Sequence, residues 1–188
     1  FKDAEQVHLC FGFPSPKFNS KISNEIAVIN TILGGGMSSR LFQKIREEKG
    51  LAYQVYSYPS AYRKSGIYTI YAAVNPSMVK QSAELILEEI KNIKEKGITK
   101  QEFERGKEQI KSALIFGQES SGSIMNAYGR YMTITGKMLN LENKIKRINS
   151  LTMEDIEIAL KNLFEFDKLC ASYVGREDSR VDLLSLNK

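Results

Sequence analysis

The chain has 188 residues, of which 42% are hydrophobic and 26% are charged. Its 27 basic and 22 acidic side chains give a net charge of +5, and lysines interleave with glutamates along the helical segments. These values exclude a disordered, collagen-like or disulfide-knot protein, argue against specific nucleic-acid binding, and suit one domain of ordinary size.

The first half of the chain carries the signals of three strands and two helices. Apolar residues alternate in the first strand, which Pro14 and Pro16 are expected to end. Isoleucines three and four residues apart mark the first helix, and Ser38 or Ser39 is expected to cap a second helix that ends at Gly50. The predicted elements are strand 7–13, helix 21–33, helix 40–49 and a hairpin of strands 51–59 and 66–75.

The second half is mainly helical. An Asn-Pro pair at 75–76 signals a helix start, and capping-box patterns open two later helices at 99–102 and 152–155. Helical spacing predicts that Ile115 points into the core. The predicted elements are helices 76–96, 100–119, 121–136, 141–149 and 153–164, and a final strand 168–174.

This order of elements predicts an α/β (α+β) fold. We expect a mixed, mainly antiparallel sheet of about four or more strands, with helices packed on one face. Residues 1–175 are expected to form a single domain and residues 176–188 a polar, frayed tail. A strand pattern begins almost directly after Phe1, which predicts that the chain is a piece of a longer polypeptide.

The chain shows no signal for a membrane or for secretion. No segment approaches the roughly 20 apolar residues of a transmembrane helix, so no membrane span is expected. No basic stretch followed by an apolar one opens the chain, as it would in a secretory signal peptide. A cytoplasmic location is therefore expected.

Metal-ligating residues are scarce. His8 is the sole histidine, and Cys10 and Cys170 lie near opposite ends of the chain in apolar, strand-like runs. We expect both cysteines to be buried reduced thiols and His8 to be structural. If the first and last strands pair, the three side chains could converge on a metal, although a fourth ligand is missing. We predict no metal site in this chain.

Three consecutive glycines, Gly34, Gly35 and Gly36, follow the first helix. A phosphate-binding loop is excluded, because no Lys-Ser or Lys-Thr pair follows them and because a helix precedes them instead of a strand. The favoured interpretation is a connection between helices that needs positive φ. The alternative is a glycine-rich rim that lets an extended peptide approach closely.

Arg46 and Tyr53 are the candidate binding residues. Arg46 lies in the last turn of the second helix, Gly50 turns the chain, and Tyr53 opens the next strand, which brings a guanidinium and a phenol to the same end of the sheet. Both groups can donate hydrogen bonds to a carbonyl or an anion. The alternative is a surface arginine and a packed tyrosine. Six of the nine tyrosines lie in the hairpin region, where core packing explains some and a binding face would explain the rest.

Three blocks of sequence carry a resemblance to a known family. They are Leu-Gly-Gly-Gly-Met-Ser-Ser-Arg-Leu-Phe at 33–42, Ile-Arg-Glu at 45–47 and Gly-Leu-Ala-Tyr at 50–53. They are similar to the C-terminal, non-zinc half of the insulinase/pitrilysin family of zinc metallopeptidases. Strand 7–13 and the helix around 122–130 resemble that half as well, so the likeness covers roughly residues 1–175.

The resemblance implies two α/β halves that face a chamber. The N-terminal half of the family carries zinc on a His-x-x-Glu-His motif with a more distant Glu. The C-terminal half supplies an Arg and a Tyr that contact substrate near the scissile bond, and these fall on Arg46 and Tyr53, with Gly34, Gly35 and Gly36 as a rim. This chain would then be the substrate-binding domain of a zinc-dependent peptidase, without a cofactor of its own and inactive alone.

The resemblance also implies partners and leaves alternatives. The expected partners are the zinc-bearing N-terminal half, on the same polypeptide or on another chain, a peptide substrate, and a second copy in a homodimer. Some relatives, such as mitochondrial processing peptidase and the core subunits of respiratory complexes, keep the fold with altered or lost activity. A non-catalytic scaffold and a peptide-binding module are therefore the alternatives.

Overall fold

A computed structural model of the chain describes residue 2 and residues 4–187. The strands are β1 (Val7–Ser15), β2 (Ala52–Ala61), β3 (Gly66–Val74) and β4 (Cys170–Val174). The α-helices are α1 (Ser23–Leu33), α2 (Val79–Lys96), α3 (Lys100–Phe116), α4 (Ser121–Thr135), α5 (Leu141–Asn149) and α6 (Met153–Leu163). A π-helix spans Phe42–Glu48 between α1 and β2.

The four described strands form one sheet in the order β2-β3-β1-β4. This arrangement confirms the predicted α/β fold class, and all three of its strand pairings are antiparallel, where a mixed sheet was expected. β1 continues to Ser15, beyond the proline predicted to end it, with Pro14 paired to Ile67 of β3. A proline is tolerated there because β4 stops opposite Gly12, so β1 has a neighbour on one side only at Pro14.

One face of the sheet is packed against helices and the other is open. On β1 the alternating side chains point into the core as predicted, with Phe13 meeting Phe164 edge to face at 5.2 Å between ring centres. Burial of such a continuous apolar face is the main force that holds helices on the sheet. The fully buried core residues of β1 are Val7, Leu9, Phe11 and Phe13.

The helix ends follow the sequence signals. Both capping boxes form, at Thr99 with Glu102 and at Thr152 with Asp155. The Asn75 side chain accepts from the Ser77 N–H and caps a 3₁₀ turn, Pro76–Met78, which leads into α2. Three glycines with positive φ, which favours glycine, follow the π-helix, α2 and α4: Gly50, Gly97 and Gly136.

Several local expectations are wrong. The short second helix is a π-helix, and the Ser39 hydroxyl donates to the Gly36 carbonyl instead of capping the helix. Ile115 is exposed near the end of α3, because no described element covers that end of the helix. The tail, which was expected to be frayed, instead packs on the domain: Leu183 is only 5% exposed and belongs to the hydrophobic core.

None of the helices among the described residues is both long enough and apolar enough to span a membrane.

Candidate substrate-binding site

Arg46 projects from the last turn of the π-helix and is exposed. Its guanidinium carbon lies 4.9 Å from the ring centre of Phe42 and 5.9 Å from that of Tyr53. No ion pair with Arg46 is found within the described part of the chain. Cation–π contacts therefore hold the guanidinium while its N–H groups stay available to a ligand.

Tyr53 sits at an irregularity at the start of β2. Ala52 pairs with Val74 and Gln54 pairs with the next residue, Ala73, so Tyr53 is the extra residue of a bulge. A bulge leaves its extra residue unpaired and re-aims the side chain. Tyr53 is accordingly 66% exposed. The alternative of a packed tyrosine is therefore wrong.

The turn between Arg46 and Tyr53 is tightly built. The Gly50 N–H donates to the Arg46 carbonyl at 3.1 Å, and the Leu51 N–H donates to the Ile45 carbonyl at 3.0 Å. Gly50 has a φ of +61°, a conformation that glycine adopts without strain. These bonds tie the end of the π-helix to the start of β2, which is why a seven-residue separation in sequence becomes a contact.

Arg40 anchors the other end of the π-helix. Its Nε donates to Glu102 Oε1 at 2.7 Å and its Nη2 to Glu102 Oε2 at 2.8 Å, in a bidentate pair. The same Nη2 donates to the Gly97 carbonyl at 3.1 Å. Burial alone would raise the pKa of Glu102, but hydrogen bonds from Arg40 and from the Thr99 backbone outweigh it and lower that pKa to about 2.

A second cation reinforces this anchor. Lys44 Nζ lies 3.1 Å from Glu89 Oε2 and 3.3 Å from Glu88 Oε1, and Glu89 also faces Arg40. The π-helix that carries Arg46 is thus clamped to α2 and to the start of α3. Sequence patterns did not reveal this network, because its partners lie 44 to 62 residues apart.

The glycine segment is not the turn predicted for it. None of Gly34, Gly35 and Gly36 has positive φ, so that expectation is wrong. Gly34 is needed for space: a Cβ there would lie 2.5 Å from Ser57 Oγ and 2.6 Å from the Ser57 nitrogen. Gly34 is buried beneath β2, whereas Gly35 is exposed and Gly36 half-buried.

The open face of the sheet carries several tyrosines of the hairpin. The ring centres of Tyr56 and Tyr71 lie 4.9 Å apart, and Tyr58 stands next to them on β2. Tyr71 Oη lies 2.6 Å from His8 Nδ1, so the sole histidine is engaged on this face. Tyr68, by contrast, is fully buried in the core. Both packing and an exposed aromatic face therefore account for the tyrosines of the hairpin.

The described residues of this chain do not form a zinc site. β1 and β4 do pair, but no group of three metal-ligating side chains forms among the described residues. Cys10 is half-buried and Cys170 is exposed, so the expectation of two buried thiols is wrong. The last strand is the outer one of the described sheet, which leaves Cys170 uncovered.

Comparison with known proteins assigns the family. The family model for the peptidase M16 inactive domain matches residues 2–110 of the sequence, more than half of the chain. This chain belongs to the peptidase M16 family. The resemblance to insulinase/pitrilysin peptidases is therefore confirmed, and the chain corresponds to the inactive C-terminal domain of such proteins.

Relatives of this M16 domain are named as zinc proteases. The chain is 40% identical over 166 residues to the uncharacterized zinc protease YmxG of Bacillus subtilis, covering 88% of this chain and 41% of YmxG. The chain thus spans about two fifths of the length of that relative.

Solved structures share the fold. The M16 inactive domain from Pseudomonas fluorescens matches with a TM-score of 0.84 at 22% identity, over 93% of this chain and 42% of that one. A chain of Complex III2 from Candida albicans matches with a TM-score of 0.86 at 19% identity, over 99% of this chain and 47% of that one. The fold of this chain is therefore shared by proteins of low sequence identity to it.

Proposed function

We propose that this M16 domain binds the peptide substrate of a zinc protease through Arg46 and Tyr53. The zinc would be supplied by an N-terminal half outside the chain. The observation that carries the proposal is the exposed Arg46–Tyr53 pair, which a π-helix, a glycine turn and a bulge bring together at one end of the sheet. Exposed side chains on a rigid frame are typical of binding residues.

The two side chains would have different tasks. The Tyr53 hydroxyl would donate a hydrogen bond to the oxygen of the scissile carbonyl, where negative charge develops in the transition state. Arg46, with several donors in a planar fork, would bind a neighbouring substrate carbonyl or carboxylate. Gly35 and Gly36 would form part of the rim. No proton-accepting base for hydrolysis is assigned to this chain.

A non-catalytic scaffold is the second candidate. The fold shared with a chain of Complex III2 favours it, because that chain is part of a complex. In a scaffold, Arg46 and Tyr53 would contact another subunit instead of a peptide. The homodimer and the cytoplasmic location stay predictions.

Steady-state peptide hydrolysis by the full-length protein separates the candidates. A peptidase should turn over a peptide library, and Tyr53→Phe should reduce kcat while Tyr62→Phe, a change at a similarly exposed tyrosine, should not. A full-length protein with a complete zinc motif and bound zinc but no turnover would favour the scaffold. Unchanged turnover in Tyr53→Phe would refute the role given to this site.

A further inference from the structure

A cavity of about 750 Å³ lies on the molecule away from Arg46 and Tyr53. It is lined by the connection from β1 to α1, the far end of β2, and the pair of helices α4 and α5. Ala61 lines the cavity while Tyr53 stands at the opposite end of β2, roughly 26 Å away at about 3.3 Å per residue. The volume is that of a small-molecule site.

The charge of this cavity is one-sided. Its described lining contains no Asp or Glu. Its cationic lining residues are Arg130, Lys137, Lys144, Lys146 and Arg147. Glu25 interacts electrostatically with Arg147 from outside the lining, and burial raises the pKa of Glu25. The positive field inside the cavity is therefore not neutralised by its own wall.

The arginines and the lysines of the cavity play different parts. Arg130 Nη2 donates to the Ala61 carbonyl at 3.0 Å, and Arg147 Nη2 donates to the Lys21 carbonyl at 3.2 Å. Arg130 thus ties α4 to the end of β2, and Arg147 ties α5 to the connection that precedes α1.

The lysine side chains are not used in this way. Within the described residues no hydrogen bond or ion pair engages the ammonium groups of Lys137, Lys144 and Lys146. Lys144 is half-buried, and burial lowers its pKa because the charged form is desolvated. A bound anion would offset that desolvation.

The remaining wall is partly apolar. Phe18 meets Tyr131 edge to face at 5.9 Å between ring centres, and the aliphatic side chains of Ile26 and Ile110 also line the cavity. Asn140 and Asn143 add amide groups beside the lysines. A ligand for this cavity would thus combine an apolar body with negative charge.

We propose that this cavity binds a small phosphate monoester with an apolar or aromatic body. Unpaired lysine ammonium groups act as point charges, and a phosphate monoester dianion gains more from several such charges than a singly charged carboxylate does. The arginine forks, which could bind either group, are here partly engaged with the backbone. Lys144 would contact the phosphate from the side of α5, and Lys137 and Lys146 would approach it from the rim. The inference does not depend on the proposed peptidase function.

Isothermal titration calorimetry on the full-length protein tests the proposal. The probes are phenyl phosphate, inorganic phosphate and benzoate at constant ionic strength. Phenyl phosphate should bind one per chain and more tightly than either of the others, because it alone has both the dianion and the ring. Equal affinity for benzoate and phenyl phosphate would overturn the phosphate assignment.

Matched lysine variants locate the binding. Lys144→Met should raise the Kd of phenyl phosphate about tenfold or more, as loss of a charged hydrogen bond does, while Lys144→Arg should keep most of the affinity. Lys80→Met, at an exposed lysine of α2, removes the same charge and should leave Kd unchanged. Equal losses in Lys144→Met and Lys80→Met would show non-specific attraction and refute the site.

Two further experiments test the proposal where the single variants leave it open. If Lys144→Met lowers the Tm markedly, a double variant in which the exposed Lys137 and Lys146 are both changed to Met is used in its place. An unchanged Kd for phenyl phosphate in that double variant would refute the proposal. Co-sedimentation with vesicles of phosphatidic acid tests a lipid source for the same phosphate chemistry. Binding to vesicles without binding of phenyl phosphate would overturn the small-molecule ligand.

Discussion

The Arg46 guanidinium lies 5.9 Å from the centre of the Tyr53 ring, although one residue belongs to a helix and the other to a strand. The ring centre of Phe42 lies 4.9 Å from the same guanidinium. Because Arg46 and Tyr53 are exposed, their substitution should affect ligand contacts far more than folding. This separation of roles makes the site testable by comparing kinetics with stability.

Tyr53→Phe should reduce the kcat of the full-length protein on a peptide substrate by about 10²–10³-fold, the usual effect of losing one donor to a developing oxyanion. The ring stays in place, so the Tm should move little. Steady-state kinetics and thermal melts measure the two quantities. Tyr62→Phe is the control, since that side chain is 61% exposed and lies outside the Arg46 contact.

Arg46→Ala should raise KM as well as lower kcat, because a contact that holds substrate is lost in both the ground and transition states. Arg63→Ala in the exposed hairpin turn is the control and should change neither. Arg46→Lys should restore part of the loss through its charge. If Arg46→Ala has the KM and kcat of the wild type, Arg46 is a surface residue that does not contact substrate.

The Arg40–Glu102 pair should make stability depend on pH. The folded pKa of Glu102, about 2, lies below the ordinary glutamate value of about 4.3, so its contribution is present above that value and is lost as pH falls toward 2. The pair should contribute on the order of 2 kcal/mol to the free energy of unfolding, a value that already allows for the partial exposure of both side chains. Urea unfolding at pH 7 and pH 3 measures it.

Glu102→Gln should weaken this pH dependence, since the titrating group is removed. Glu104→Gln, at an exposed position on the same helix, serves as its control. Identical pH dependence in wild type and Glu102→Gln would mean that the pair does not contribute as the geometry implies.

Gly34→Ala should destabilise the protein by about 1–3 kcal/mol, because its Cβ would collide with the backbone nitrogen and hydroxyl of Ser57. A Cβ at Gly36 would have Gln109 Nε2, 3.6 Å away, as its nearest neighbour outside the adjacent residues. Gly36→Ala should therefore change the free energy of unfolding very little. Urea unfolding of both variants provides the comparison. A neutral Gly34→Ala would show that β2 can move away from the end of α1 at little cost.

Zinc should reside outside this chain. The 188-residue chain expressed alone should hold no stoichiometric zinc after dialysis, because its potential ligands do not converge on a metal within the described residues. It should also leave peptides intact, whereas the full-length protein should lose hydrolysis when a chelator removes its metal. Elemental analysis of both proteins, followed by a peptidase assay, checks this. One tightly held zinc on the isolated chain would contradict it.

Local signals in the sequence were sufficient for much of the architecture. The alternation of apolar residues in β1 and the capping boxes at Thr99 and Thr152 are set by residues a few positions apart, so they appear in the chain as written. Gly50 likewise marks the turn that joins Arg46 to Tyr53, and the two were identified as candidates from the motif around them.

Features that depend on distant residues became visible only in three dimensions. The sequence by itself determined the class of fold, the family resemblance and the Arg46 and Tyr53 candidates. Tertiary structure decided that Tyr53 occupies a bulge, that Arg40 is paired with Glu102 across 62 residues, and that Gly34 makes room for Ser57. It also placed Lys144 in the lining of a cationic cavity. The physical reason is that periodicity and capping are properties of neighbours along the chain, whereas strand register, ion pairing and enclosure arise from side chains that meet only when the chain packs.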